Sequence, residues 1–347
     1  MNETSDEKTL SLYPIDYPFE TLVSRMSEEN AKLILDPDFQ RKYKWDKDGW
    51  ERASKFIESC LMRIPLPSCY FAEDENRRHL VIDGVQRLTT IKRFFNDEFA
   101  LEGLATFKEL EGKKFSEIGD YQAELEATTI RCIVLRKENP KFLVREIFSR
   151  LNQGAVELSD QEIRHAIYPG KFDELLVDLG KIPVIANFGI GPRSKRKKDS
   201  REAEEQVLRY FAFEKSLEEY DGTLSRYLDN YMAAHQNLSN EEVEQYKQRF
   251  KGALEKCIAV FGESVFSDPS KGRSQQGMVH YDLLMHSIGK IEIELLRKKA
   301  TSIKKAYKEL CQSSKFKKTV SGGLQMKSSI NKRRIQWQEL LDRAINE

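Results

Sequence analysis

The chain has 347 residues, 39% of them hydrophobic and 33% charged, a balance that fits a folded globular protein and excludes a disordered one. Fifty-seven Lys and Arg face fifty-six Asp and Glu, so net charge alone neither demands nor excludes a polyanionic partner. No apolar run approaches the roughly 20 residues that span a bilayer, and MNETSDEKTL lacks the order of a signal peptide, so a cytoplasmic protein with no membrane partner is expected.

Residues 17 to 30 read as a short helix and KLILDPDF as a strand closed by Pro37. From Trp45 to Met62 the apolar positions Trp50, Ala53, Phe56, Ile57, Cys60 and Leu61 recur at helical spacing, and Pro65 and Pro67 end that helix. SCYFAE and RHLVID read as two strands joined by a turn at ENRR. After Gly84, Leu88, Ile91, Phe94 and Phe95 mark an amphipathic helix, which puts VIDGVQRLTT on a strand-to-helix junction. TTIRCIVLR is a further strand, followed by helices around 141–151 and 159–167.

GIGPRSKRKKDSR has no apolar periodicity and reads as a linker. Beyond it stripes such as Leu224, Tyr227, Leu228 and Tyr231 make the chain helical, with SSKFKKTVSGGLQMKSSINKRR as a loop-like interruption before a last helix around 331–345. The expected fold class is therefore α+β, organised as an N-terminal domain over 1–185, a basic linker over 186–201 and an all-helical domain over 202–347. The five scattered cysteines, Cys60, Cys69, Cys132, Cys257 and Cys311, suit buried, reduced thiols.

Three stretches can carry chemistry. In VIDGVQRLTT, Asp83 can cap the helix and Gln86 can reach back to it, the capping-box arrangement. Arg87 asks for more, because a cation in a first helical turn opposes the helix dipole unless an anion lies nearby; with Gly84 and free backbone amides it would make a phosphate pocket. In DPDFQRKYKW, aromatic Phe39, Tyr43 and Trp45 interleave with Arg41, Lys42 and Lys44, either to stack on a nucleotide or to enter the core. In the third, residues 145–168, Asn152 and Gly154 form a turn, Ser159 caps the next helix with Glu162 three residues on, and Arg150 and Arg164 flank the turn.

The run Arg193, Lys195, Arg196, Lys197 and Lys198 is either a solvated connector or a contact to phosphate backbone. The five histidines have no metal spacing, and no Walker A loop, GxSxG elbow or HExxH is present.

Together DFQRKYKW, VIDGVQRLTTIKRF and IFSRLNQGAVELSDQEIRHAIY resemble the N-terminal domain of GmrSD-type restriction enzymes, the family also catalogued as domain of unknown function 262. The resemblance covers about the first 180 residues, with a helical continuation to about residue 235. It implies a ParB/sulfiredoxin-like fold and a nucleotide-binding, NTP-hydrolysing role, acting on or sensing DNA in a prokaryotic restriction or anti-phage defence system. By position, Asp83, Gly84, Gln86 and Arg87 fill the family's Asp-Gly-Gln-Gln-Arg motif with Val85 in place of an amide. Gln40 and Arg41 fill its Gln-Arg element, and Arg150, Asn152 and Gly154 its Arg-Leu-Asn-x-Gly element.

On that resemblance Gln40, Arg41, Gly84, Arg87 and Arg150 hold the nucleotide, Asp83, Gln86 and Asn152 carry catalysis, and Asp83 meets Mg²⁺. The implied partners are DNA, a nuclease or methyltransferase subunit, and further copies of the chain. HAIYP has the wrong spacing for the HNH-type nuclease module of many relatives, so none is expected. The main competing expectation is a non-catalytic scaffold that binds DNA or a partner; a ParB-like nuclease acting alone and then a sulfiredoxin-like phosphotransferase come after it.

Overall fold

The computed structural model describes residues 9–27, 32–35, 43–46, 49–151, 159–188, 201–214, 217–271 and 276–347. Two compact units divide the chain, Met1–Leu158 and Ser159–Glu347.

The first unit is α+β, built on a mixed five-stranded sheet of order β1-β5-β3-β4-β2. Its strands are β1 (Leu12–Pro18), β2 (Leu33–Ile34), β3 (Cys69–Glu73), β4 (His79–Asp83) and β5 (Thr129–Leu135). β1 runs antiparallel to β5, β5 parallel to β3, β3 antiparallel to β4, and β4 parallel to β2. Helices α1 (Phe19–Arg25), α2 (Glu51–Leu61), α3 (Val85–Phe95), α4 (Tyr121–Ala127) and α5 (Lys141–Leu151) complete it.

Apolar stripes on α2 and α3 bury Ala53, Ile57, Leu88, Ile91 and Phe94 in one core with Phe71 and Val81 of the central strands. The sequence reading of 17–30 as one helix is corrected here: residues 12–18 form an edge strand and the helix is confined to Phe19–Arg25. Pro14 and Pro18 hid the strand, since proline lacks a ladder donor and is tolerated only at an edge, where it also discourages pairing with another chain.

The second unit is helical: α6 (Asp160–Ile167), α7 (Lys171–Gly180), α8 (Pro183–Ala186), α9 (Glu202–Glu214), α10 (Leu224–His235), α11 (Asn240–Phe261), α12 (Met278–Ile288), α13 (Ile293–Gln312), α14 (Ser314–Ser321) and α15 (Lys327–Asn346). Phe172, Phe211, Phe250, Tyr281 and Trp337 centre its core.

The division falls at Leu158 and Ser159, ahead of the expected 185, because Phe172, Leu175, Leu176 and Leu179 of α7 pack into the helical core. Residues 313–334, read as a loop, instead contain α14 and the start of α15, held by Phe316 and Ile330. All five cysteines are free and buried. Among the described residues no helix is long and apolar enough to cross a membrane.

Candidate functional site at the strand-to-helix turn

β4 ends at Asp83 and α3 begins at Val85, so the whole reversal is made at Gly84, whose φ is +102°. Only glycine takes this conformation without strain. Space demands it as well, since a Cβ here would collide with Cys69 Sγ on β3. The expected capping box does not form: Gly84 itself is the N-cap, no side chain caps α3, and no acid lies in its first turn.

Asp83 turns instead to Arg87, whose Nη2 donates to its Oδ2 at 2.8 Å. The anion that a first-turn arginine requires is thus supplied by the chain itself. Arg87 also donates to the carbonyls of Pro67, through Nη1, and Ser68, 3.2 Å from Nη2, tying the segment ahead of β3 to the turn. With its side chain 13% exposed, Arg87 is largely enclosed, whereas that of Asp83 is 39% exposed, and its Oδ1 has no protein partner among the described residues.

Gln86 faces another way. Its Oε1 accepts from the backbone amide of Lys44 at 2.9 Å, and one turn on Thr90 meets the buried Tyr43 hydroxyl at 2.7 Å. Lys44 follows Arg41 by three residues, so this bond ties the chain just after the Gln-Arg element to the turn. Tyr43 is 5% exposed with Arg93 over its ring, and Trp45 packs against the core beside Phe56, so both take the core alternative rather than a stacking one. Burial pushes the Tyr43 hydroxyl pKa upward. Val85 is half-buried against the same core, which accounts for an apolar residue where the family motif has an amide.

Beneath the turn lies a feature the sequence did not signal: Cys69 and Cys132 are register partners on the parallel strands β3 and β5, both fully buried. A hydrogen bond to the Cys69 sulfur, together with burial, pushes the Cys132 thiol pKa far up. That same bond and the nearby Arg87 guanidinium lower the pKa of Cys69. A residue as small as cysteine is what the close approach of Gly84 allows here.

The structure therefore brings Asp83, Gly84, Gln86 and Arg87 into one turn. Arg150 stands on the last turn of α5, exposed and paired with Glu146 at 2.8 Å. Arg164 is buried in the helical unit, 2.8 Å from Asp229 and 3.0 Å from Glu205. Gln40, Arg41, Asn152, Gly154, Arg193, Lys195, Arg196, Lys197 and Lys198 lie outside the described residues. Among the described residues no group of three His, Cys, Asp or Glu could hold a metal.

A mixed sheet with a strand–glycine–helix turn that joins an acid to an arginine four residues on defines an α+β domain. Residues 19–169 match the family described as GmrSD restriction endonuclease, N-terminal domain. No curated protein and no solved structure matches the chain.

Proposed function

We propose that the protein is a nucleotide-binding component of a prokaryotic restriction system that acts on or senses DNA, with the nucleotide phosphates held at the turn Asp83–Arg87. A restriction-type domain is consistent with DNA as substrate. The observation that carries the reading is the start of α3: a helix with no side-chain cap and no first-turn acid, entered through a glycine that lets the backbone come close, with a guanidinium alongside. A phosphate arriving there would compete with Asp83 for Arg87 and form charge-assisted bonds in its place. Asp83, released, would face a Mg²⁺ carried in on the phosphates; its unbonded Oδ1 and partial exposure fit that role, since Mg²⁺ usually takes one or two carboxylates and completes its shell with phosphate and water. Gln86 would hold the backbone at Lys44 against the turn. A ParB/sulfiredoxin-like fold is part of this reading, as is NTP hydrolysis.

One observation favours the alternative of a scaffold subunit. Arg87 already has three protein partners, so the turn is complete without a ligand. Phosphate release from each NTP, with and without DNA, together with calorimetric titration, separates the two. Turnover supports the enzyme, binding without turnover reduces the role to nucleotide sensing, and neither leaves the scaffold.

A further inference from the structure

Charge in this chain is segregated. Residues 297–334 hold thirteen Lys and Arg against one acid, Glu309, so the other 309 residues keep forty-four cations against fifty-five anions, a net −11. Glu309 is itself engaged by Arg343 at 3.0 Å. The stretch spans α13, α14 and the first turns of α15, three helices packed on one another. Their inward faces bury Ile303, Leu310, Phe316 and Ile330, which leaves Lys304, Lys305, Lys308, Lys317, Lys318 and Lys332 exposed. None of these six is in an ion pair or side-chain hydrogen bond among the described residues. Arg333 and Arg334 serve differently: they turn inward to the carbonyls of Thr319, Leu324 and Phe213.

We infer that this lysine face is a second binding surface, one for the phosphate backbone of duplex DNA, on helices outside the family match and independent of whether the turn in the first unit binds nucleotide. Exposed lysines without carboxylates repel one another, and a polyanion that displaces its counterions relieves this. Duplex rather than single-stranded nucleic acid follows from the aromatics. Single strands are held largely by stacking, yet Tyr307, Phe316 and Trp337, the aromatic residues of the three helices, are each at most 2% exposed. Point charges alone read backbone, so binding should be independent of sequence.

The test uses the full chain and a variant with the six lysines changed to glutamine, titrated with labelled duplex DNA from about 50 to about 200 mM salt. Wild-type affinity should fall by about a thousandfold or more over that range, with a slope of log K on log salt near −5 or steeper. The variant should lose up to about five units of that slope while its NTP binding and melting temperature stay unchanged. Should the sixfold variant fail to fold, Lys317→Gln with Lys318→Gln should still remove about two units. An unchanged slope in a folded variant overturns the inference. So does preferred binding to single strands, to duplex RNA or to phosphatidylserine vesicles, or a slope that falls only when Lys195, Arg196, Lys197 and Lys198 are neutralised.

Discussion

Arginines in the first unit meet carboxylates: Arg87 with Asp83, Arg93 with Asp46, Arg131 with Asp16. Lysines on the last three helices meet none among the described residues. The difference separates two uses of positive charge. A planar guanidinium held by two or three acceptors fixes the shape of a turn, while an ammonium on a flexible stem, left in water, stays available to a partner. Arg164 is the extreme of the first use, 1% exposed between Asp229 and Glu205 with Gln161 at 3.1 Å.

That contrast can be broken first where a paired arginine is deepest. Arg164→Ala removes the buried guanidinium that Asp229 and Glu205 share and should destabilise the helical unit by about 3 to 5 kcal/mol, read as a lowered denaturant midpoint. By contrast Lys317→Gln, among the unpaired lysines, should leave the midpoint within about 0.5 kcal/mol of wild type. Gly84→Ala comes next. It combines a left-handed backbone with a collision at Cys69 and should cost about 2 to 4 kcal/mol, with the loss seen in the unfolding of the first unit.

Acid distinguishes the units further. Burial lowers His280 to about 4 and His286 to about 3. Their folded pKa values lie below the ordinary 6.5, so below that pH the unfolded chain binds more protons than the folded one. Stability of the helical unit is full above pH 6.5 and falls as the pH drops toward 4, by roughly 2 kcal/mol per histidine at about pH 5. His280→Gln and His286→Gln should each flatten that limb in thermal melts taken across the range. In the first unit Glu58 behaves as a carboxylate. Burial opposes its charge, but the amides of Thr106, Phe107 and Ala105 hold its pKa below the usual range, so its stabilisation is present at neutral pH and lost only below about 4.5.

A smaller loss than at Arg164 or Gly84 belongs to Val85. Changing it to glutamine exchanges a half-buried contact for an amide needing partners and should cost about 1 kcal/mol without raising any NTP hydrolysis.

How far the sequence spoke is clearest in two similar patterns. Ser159 and Glu162 form the capping box that their spacing predicts, with Ser159 Oγ 3.2 Å from the Glu162 amide. Asp83 and Gln86 have the same spacing and form none, because Gly84 takes a left-handed conformation and moves the helix start one residue on. The periodic stripes of α2 and α3 and the short strands β3, β4 and β5 were legible because alternation and helical spacing report burial directly. β1 was not, since its prolines read as breaks, and α14 was not, since in eight residues only Phe316 and Val320 mark its apolar face. Of the site, the arginine's need for an anion was legible; that the anion is Asp83, with Pro67 and Ser68 as further acceptors, depends on tertiary contacts that no local pattern carries.

The central claim, that phosphate takes Arg87 from Asp83, is tested most directly by calorimetric titration of ATP, GTP, CTP and UTP into wild type and Asp83→Asn without divalent metal. Removing the charge of Asp83 frees the guanidinium, so the nucleotide that binds wild type should bind Asp83→Asn more tightly, by about tenfold for about 1.4 kcal/mol of lost competition. Failure of every nucleotide to bind either protein, or equal affinity for both, would contradict the account.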